Sequence, residues 1–300
     1  MDWITGIQNA INYIEDHLDG EIDYAQAAKE SFSSSYHFQR VFSILSGYTL
    51  GEYIRNRRLS LAGTELATGN GKVIDIAAKY GYESPDSFAK AFQKFHGITP
   101  SQARSGGAKL KSFSRLSFKI TLEGGSIMDY RIVDKEEMVL TGFKRRFTGS
   151  PENRGDQDME FWCSTRLNQY VLEGLAHDCE TTYEVLTNFG DDGYDFYIAA
   201  NVDPFVRSLM QEELGEFAQR FEHITIPAGK YLICETERCR YPTDLQAELR
   251  KKAVSDWLPS SGYELTSAPE LTVAHWYYAY QNNQRNDSRY VELWLPIRKK

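Results

Sequence analysis

The sequence predicts two domains: an all-α N-terminal domain with two helix-turn-helix motifs, and an α+β C-terminal domain of duplicated strand-strand-helix-strand-strand halves around a cleft. The chain has 300 residues, more than the roughly 100 to 200 that one hydrophobic core usually serves. A repeat at an offset of 50 residues fills the first third, and beyond Ile127 the hydrophobic pattern changes to alternating strands. We therefore expect domains at 1–107 and 128–300, joined by a linker at 108–127 that contains a strand at 116–122.

The composition is that of a folded, water-soluble protein. With 41% hydrophobic and 25% charged residues, it excludes long disorder, collagen and coiled coils. The N-terminus has no leader pattern and no run of 18 apolar residues occurs, so we expect a cytoplasmic protein that does not contact membranes. Four cysteines fit reduced thiols there. We expect no metal and no cofactor, because Cys234, Cys239 and His223 have a poor spacing for zinc.

The net charge of −8 is unevenly distributed. Residues 1–127 contain 14 Lys and Arg against 13 Asp and Glu, net +1, whereas residues 128–300 contain 20 against 29, net −9. The stretch from Lys90 to Lys119 has seven basic residues and no acid. A second basic group consists of Arg40, Arg55, Arg57 and Arg58. Such stripes fit contact with phosphates, although an ordinary solvated face has the same composition.

The repeat consists of two copies of one helical unit. The offset superimposes Ala27 on Ala77, Phe38 on Phe88, Phe42 on Phe92 and Gly47 on Gly97. Each copy predicts a helix, a tight turn and a second helix. In the second copy Gly81 suits a left-handed turn position, and Ser84-Pro85-Asp86 supplies an N-cap, a first-turn proline and an acid at the positive helix end.

The second helix of each copy has a polar face opposite its two phenylalanines, which are spaced four residues apart and face the core. One copy alone could be a plain helical hairpin. Two such helices, held by an intervening helix at about 50–68, could enter successive major grooves of DNA about 34 Å apart. The outward residues that we expect to contact DNA are Ser35, Tyr36, Gln39, Arg40, Asp86, Ser87, Lys90 and Lys94.

The runs from Ser34 to Leu59 and from Ile74 to Pro100 resemble the AraC/XylS family of transcription regulators. The resemblance covers about residues 8–104 and implies a seven-helix DNA-binding domain with two reading helices.

By this resemblance Tyr36, Gln39 and Arg40 read bases in the first motif. The corresponding positions of the second motif hold Asp86, Ser87 and Lys90. Because an acid at position 86 repels the DNA groove except at a cytosine amino group, we expect the first motif to dominate specificity.

The C-terminal part alternates strands with one long helix in each half. Two strands are expected at 129–146, a helix at 157–175 and two strands at 181–202. The second half repeats that order over 221–236, 243–257 and 271–297. Several runs resemble the GyrI-like effector-binding domain over about residues 128–298: Met128–Ile132, Ile226–Tyr231, Trp257–Tyr263 and Val291–Pro296.

The resemblance implies a cleft that binds a small effector, including lipophilic cations stacked on aromatic rings. Period-two alternation places Glu292 between two aromatic side chains on one strand face, where a cation could neutralise it. Alternatively, Glu292 joins an arginine or backbone network and the aromatics are core. Relatives commonly carry an acid before the penultimate strand, so either Glu270 has shifted register or the cation site is altered. The candidate ligand-binding residues are Trp162, Tyr197, Trp276, Tyr278, Tyr290, Glu292 and Trp294.

Together these features predict a transcription regulator rather than an enzyme. Its expected partners are double-stranded promoter DNA, a small hydrophobic, aromatic or cationic effector, and RNA polymerase. The chain can be a monomer or a homodimer. Two other readings of the C-terminal domain stay open: a small-molecule hydrolase with Glu292 as base beside Tyr290 or Tyr278, and a protein-interaction module without a ligand.

Overall fold

The computed structural model describes residues 3–69, 71–105, 107–117, 128–276 and 287–300. The chain divides into two compact units, one of Met1–Phe42 with Tyr48–Leu122 and one of Ser43–Gly47 with Glu123–Lys300. Within the described ranges, no helix combines the length and the hydropathy needed to cross a bilayer.

The first unit is built from helices. They are α1 (Trp3–Asp16), α2 (Tyr24–Glu30), α3 (Ser35–Ser46), α4 (Leu50–Thr68), α5 (Val73–Lys79), α6 (Pro85–His96) and α7 (Pro100–Ala103). The pairs α2–α3 and α5–α6 are the two predicted helix-turn-helix motifs, with α4 between them. Phe38, Phe42, Phe88 and Phe92 are at most 1% exposed, which confirms the core positions predicted from their spacing.

The tight turns of the two motifs differ in their left-handed residue. In the second motif Gly81 has a φ of +78°, as predicted, and the Tyr82 N–H donates to the Ala77 carbonyl at 3.0 Å. In the first motif the left-handed residue is Phe32, with a φ of 54°. Its side chain is 69% exposed, so burial does not offset the strain that a Cβ experiences in this conformation.

The segment that follows α7 lies along α4. The Phe113 N–H donates to Ser60 Oγ at 2.9 Å, the Phe113 carbonyl accepts from Arg57 at 2.6 Å, and the Leu116 N–H donates to the Tyr53 hydroxyl at 3.3 Å. Because the three α4 residues are spaced four and three apart, they form one stripe. Residues 116 and 117 are not in a strand, so the predicted strand does not begin there, and 118–122 lie outside the described residues.

The second unit combines an antiparallel sheet with helices. Its strands are β1 (Tyr130–Lys135), β2 (Met138–Thr148), β3 (Thr181–Gly190), β4 (Gly193–Ala200), β5 (Glu222–Ile226), β6 (Gly229–Glu235), β7 (Tyr263–Leu265), β8 (Glu270–His275) and β9 (Tyr290–Lys299). Its helices are α8 (Gly155–Ser164), α9 (Arg166–Leu175), α10 (Pro204–Leu214), α11 (Gln246–Lys252) and α12 (Leu258–Ser261). The predicted strand pairs of both halves are present. The single helix expected at 157–175 is divided at Thr165 into α8 and α9, and α10 and β7 were not predicted.

The strand order shows the duplication that the sequence predicted. It runs β1-β6-β9-β8-β3-β4-β2-β5, and β7 also pairs with β9. Exchanging β1 with β5, β2 with β6, β3 with β8 and β4 with β9 reverses this order. The two halves are therefore related by a pseudo-twofold axis that passes between the central strands β3 and β8.

Two short connections force this sheet to curl. Residues 136–137 join β1 to β2, and residues 227–228 join β5 to β6. In each case the joined strands lie six positions apart in the sheet, which is about 29 Å in a flat sheet. Two linking residues span at most about 11 Å between the flanking Cα atoms. The sheet must therefore bend into an incomplete barrel with an inner and an outer face.

Each face has its own hydrophobic core. On the inner face the side chains of Leu140 and Ile226, near one end of the strand order, belong to one cluster with Tyr231 and Trp294, near the other end. On the outer face helices α8, α9 and α10 cover a second cluster that includes Phe196. Because successive strand residues alternate between these cores, the face of every strand side chain is fixed.

We expect Phe32→Gly to stabilise the chain by up to about 1 kcal/mol, because glycine adopts the left-handed conformation without a Cβ penalty. Thermal unfolding followed by far-ultraviolet circular dichroism measures the change. Phe32→Ala is the matched control and should give no such gain, since alanine retains the Cβ. An equal gain in both variants would mean that the exposed ring, and not the backbone conformation, causes the strain.

Candidate recognition helices and ligand cleft

Helix α6 presents its predicted reading positions to solvent. Asp86, Ser87, Lys90 and Lys94 are all exposed, as expected. The helix begins as the sequence indicates: Ser84 Oγ accepts from the Ser87 N–H at 3.2 Å. The Ser87 hydroxyl in turn donates to the Ser84 carbonyl at 2.8 Å, so this hydroxyl contributes to the helix cap.

Helix α3 presents its predicted reading positions less openly than α6 does. Ser35, Tyr36 and Gln39 are partly exposed, whereas Arg40 is 3% exposed in the chain. The role of Arg40 in reading bases stays a prediction.

Two arginines of the predicted basic stripe on α4 hold the first unit together. Arg57 Nη2 lies 2.8 Å from Glu15 Oε2, and Arg58 Nε donates to the Leu18 carbonyl at 2.9 Å. Burial raises the pKa of Glu15, but hydrogen bonds from Arg57 and Tyr53 outweigh it and hold this pKa below its usual value. These arginines fix α4 against α1 and the following chain and do not extend a phosphate-binding stripe.

The second unit contains a cleft of about 650 Å³ on the outer face of the sheet, over the central strands. Residues from both halves line it: α8, α9 and β3 belong to the first half, and α11 with the chain before it belongs to the second. The cleft therefore lies where the pseudo-twofold axis passes through the sheet. This position agrees with the predicted cleft between duplicated halves.

The floor of the cleft is crossed by two arginines that bridge the halves. Arg154, before α8, donates to Glu184 of β3 at 2.6 Å and to Gln246 of α11 at 3.2 Å. Arg250 of α11 lies 3.5 Å from both Glu270 of β8 and Glu152 of the first half. Each arginine thus contacts an acid from a central strand of its own half and a polar side chain of the other half.

Several buried polar atoms beside these bridges have no hydrogen-bond partner among the described residues: Arg154 Nη1, Asp158 Oδ1, Glu152 Oε1 and Tyr194 Oη. Buried polar atoms are rarely left unpaired in folded proteins. Burial also raises the pKa of Asp158 to about 6, against the lowering effect of Arg154 at 3.5 Å. The floor is therefore polar and incompletely paired.

Aromatic side chains form part of the cleft walls. Trp162 of α8 and Trp276, which follows β8, both line the cleft. Trp276 Nε1 donates to Thr182 Oγ1 at 2.9 Å, and the Arg289 guanidinium lies 5.7 Å from its ring centroid. A planar group entering the cleft would meet indole rings and charged side chains together.

On the inner face of the sheet, the Glu292 carboxylate is already paired. Glu292 Oε1 accepts from Arg131 at 2.6 Å, and Oε2 accepts from Trp294 Nε1 at 2.6 Å. The Lys135 ammonium lies 4.0 Å from the Trp294 ring centroid. The structure thus contains the arginine network that the sequence left open as the alternative, and the chain itself supplies the cations expected from a ligand.

The candidate ligand residues therefore do not form one site. Trp162 and Trp276 lie in the outer cleft, whereas Tyr197, Tyr290, Glu292 and Trp294 lie on the inner face. Tyr278 falls outside the described residues. The sequence missed the polar floor of the cleft. Only Glu184 could have been identified from the sequence, because it is a charged residue directly before the apolar pair Val185-Leu186 of a predicted strand. No local pattern distinguishes Arg154 or Arg250 from other arginines.

The pKa of Asp158 gives a pH prediction. Because its folded pKa of about 6 exceeds the reference value of 3.8, the folded chain holds a proton here that the unfolded chain releases. This carboxyl's contribution to the free energy of unfolding is therefore present at low pH and decreases as the pH rises through 4 to 6.

As the pH rises from 5 to 7, the free energy of unfolding should therefore fall by about 1 kcal/mol less in Asp158→Asn than in the wild type. Unfolding followed by tryptophan fluorescence measures this, since four of the five tryptophans lie beyond residue 160. Asp156→Asn, an exposed neighbour in α8, should keep the wild-type pH dependence. Parallel curves for Asp158→Asn and wild type would show that the Asp158 pKa is not raised.

Known proteins match both units. Residues 27–106 match the family model of a helix-turn-helix domain, and residues 131–297, more than half of the chain, match that of the integron-associated effector binding protein. The transcriptional activator AarP of Providencia stuartii is 44% identical over 98 residues, which are 33% of this chain and 73% of that protein.

The transcriptional regulator Rob of Salmonella typhimurium is 24% identical over 239 residues, 78% of each chain. The solved integron cassette protein of Vibrio cholerae is 17% identical, with coverage of 56% of this chain and 95% of its own and a TM-score of 0.37. The chain therefore belongs to the integron-associated effector binding family and is an AraC-type DNA-binding transcription regulator with a small-molecule effector domain.

Proposed function

We propose that the effector binds in the outer cleft of the second unit, between the helices of the two halves. The observation that carries this proposal is that three buried polar atoms of cleft-lining residues, Arg154 Nη1, Asp158 Oδ1 and Glu152 Oε1, lack hydrogen-bond partners in the described chain. A cleft of about 650 Å³ has the size of small-molecule sites, and two tryptophans form part of its walls. Its lining contains more charged side chains than such sites usually do.

For the first unit, we propose that α6 reads DNA through Asp86 and Ser87 and holds phosphates through Lys90 and Lys94. Their exposure supports this role. Of the positions predicted for the first motif, Ser35, Tyr36 and Gln39 are partly exposed.

Effector binding would change promoter affinity only if it favours one of two conformations of the chain. The relative AarP is a transcriptional activator, and we propose activation, through contact with RNA polymerase, as the output of this chain. Two helix-turn-helix motifs in one chain make a monomer sufficient for a bipartite site, and a homodimer is compatible with it.

Lys90→Gln should weaken binding to the target promoter three- to tenfold and reduce the slope of log affinity against log salt by about 1, because one phosphate contact is lost. Fluorescence anisotropy at several salt concentrations measures both values. Lys79→Gln is the control: Lys79 is also exposed but lies on α5 and pairs with Glu65 at 2.9 Å. Equal losses in both variants would refute a specific role for α6.

Trp162→Ala should weaken binding of the neutral fluorophore 1-aminoanthracene at least tenfold, because it removes one aromatic wall of the cleft. Trp257→Ala should retain the wild-type affinity, since Trp257 does not line the cleft and stacks on Tyr263 instead. Titration of the full chain measures the affinity, and the same titration in the presence of promoter DNA measures coupling. Equal affinities of the two variants, or no binding by the wild type, would contradict the proposal that the effector binds in the cleft.

A further inference from the structure

The charges that line the outer cleft are balanced. Its described lining residues contain five arginines and five acids, so their formal charge is zero. The arginines are Arg154, Arg166, Arg240, Arg250 and Arg289, and the acids are Glu152, Asp158, Glu173, Glu184 and Asp244. Neither a simple cation nor a simple anion finds a net countercharge in this set.

The buried charges are also paired with one another. Glu184 lies 2.6 Å and Asp158 3.5 Å from Arg154, and Arg250 lies 3.5 Å from Glu152 and Glu270. A lipophilic cation brought to this floor would have to compete with a guanidinium for each acid. Because a buried charge without a partner is costly, that exchange would leave an arginine uncompensated.

The unsatisfied atoms have both polarities. Arg154 Nη1 can only donate a hydrogen bond, whereas Asp158 Oδ1 and Glu152 Oε1, when ionised, can only accept one. None of these three atoms has a hydrogen-bond partner in the described part of the chain, and the ion-pair contact of Glu152 Oε1 with Arg250 is 3.5 Å long. A ligand that completes the floor must therefore carry an acceptor for the arginine and a donor for the carboxylates, while its charges cancel to preserve the balance.

We propose that the effector is a zwitterionic aromatic compound, with an ammonium-type group directed at Asp158 and Glu152 and a carboxylate-type group directed at Arg154. This inference rests on the proposed location of the effector and adds its chemical class. The indole walls supplied by Trp162 and Trp276 accommodate its ring. Such a ligand adds one hydrogen-bonded charge of each sign and leaves the cleft neutral.

A set of four dipeptide probes with one skeleton tests the charge requirement. Tyrosylphenylalanine is a zwitterion, its methyl ester a cation, its N-acetyl derivative an anion, and its N-acetyl methyl ester neutral. Calorimetric titration of the full chain at pH 7 should show the zwitterion binding at least tenfold more tightly than each of the other three. Tetraphenylphosphonium serves as a lipophilic cation for comparison and should bind more weakly than the zwitterion.

Two variants test the residue assignment. Asp158→Asn removes one acceptor charge, so it should weaken the zwitterion at least fivefold and reduce its advantage over the N-acetyl anion. Asp156→Asn, in the same helix but outside the cleft lining, should leave the order of the four probes unchanged. Circular dichroism checks that both variants are folded, and the four-probe order in the wild type tests the proposal independently of either variant.

The outcomes separate the two proposals. If the ester, the N-acetyl anion, the neutral probe or tetraphenylphosphonium binds as tightly as the zwitterion and Trp162→Ala weakens that binding, the zwitterion proposal is overturned and the location stands. If the probes bind equally well to wild type and Trp162→Ala, or none binds, both proposals fail. A tenfold preference for the zwitterion that is lost in Asp158→Asn supports both.

Discussion

Two connections of two residues each, at 136–137 and 227–228, join strands that lie six positions apart in the sheet. No flat sheet can satisfy them, so the sheet bends and acquires an inner and an outer face. That bend decides where every strand side chain points. Tyr183 and Val185 enter the inner core, while Thr182 and Glu184 on the same strand enter the cleft.

The two faces of the sheet consequently differ in whether their polar and charged side chains have partners within the chain. On the inner face, β1 and β9 flank β6, so Arg131 of β1 reaches Glu292 of β9 and Lys135 lies over the Trp294 ring. Charges and aromatics there find partners within the chain. On the outer face, helices from two separate halves meet over the central strands, and the line where they meet leaves a cleft with unpaired polar atoms. The difference follows from geometry, since both faces contain aromatic and charged residues.

Local pattern was sufficient wherever the deciding interactions are local. The phenylalanines spaced four apart and the Ser84-Pro85 start of α6 concern neighbours within a turn or two, and the structure agrees with them. The fifty-residue repeat was visible because each copy contains the same local pattern. The duplicated halves were also predictable, because each half repeats the same strand and helix order.

The sequence could not show which face of an element remains open. Alternation correctly grouped Glu292 with Trp294, but the partner that neutralises Glu292 is 161 residues away in sequence. Local periodicity therefore left the two alternatives for Glu292 open, and only the folded chain decides between them.

The arrangement of the two bridging arginines gives the cleft a means of response. Arg154 joins Glu184 of its own half to Gln246 of the other, and Arg250 joins Glu270 of its own half to Glu152 of the other. A ligand group that pairs with Arg154 competes more readily with its contact across the halves than with its contact to the central strand, because Gln246 lies 3.2 Å and Glu184 lies 2.6 Å from the guanidinium. Since Arg154 precedes α8 and Gln246 begins α11, one bound molecule would alter how these two helices are held over the sheet. An effector domain needs such a coupling, because a ligand changes an equilibrium only through contacts that differ between two conformations.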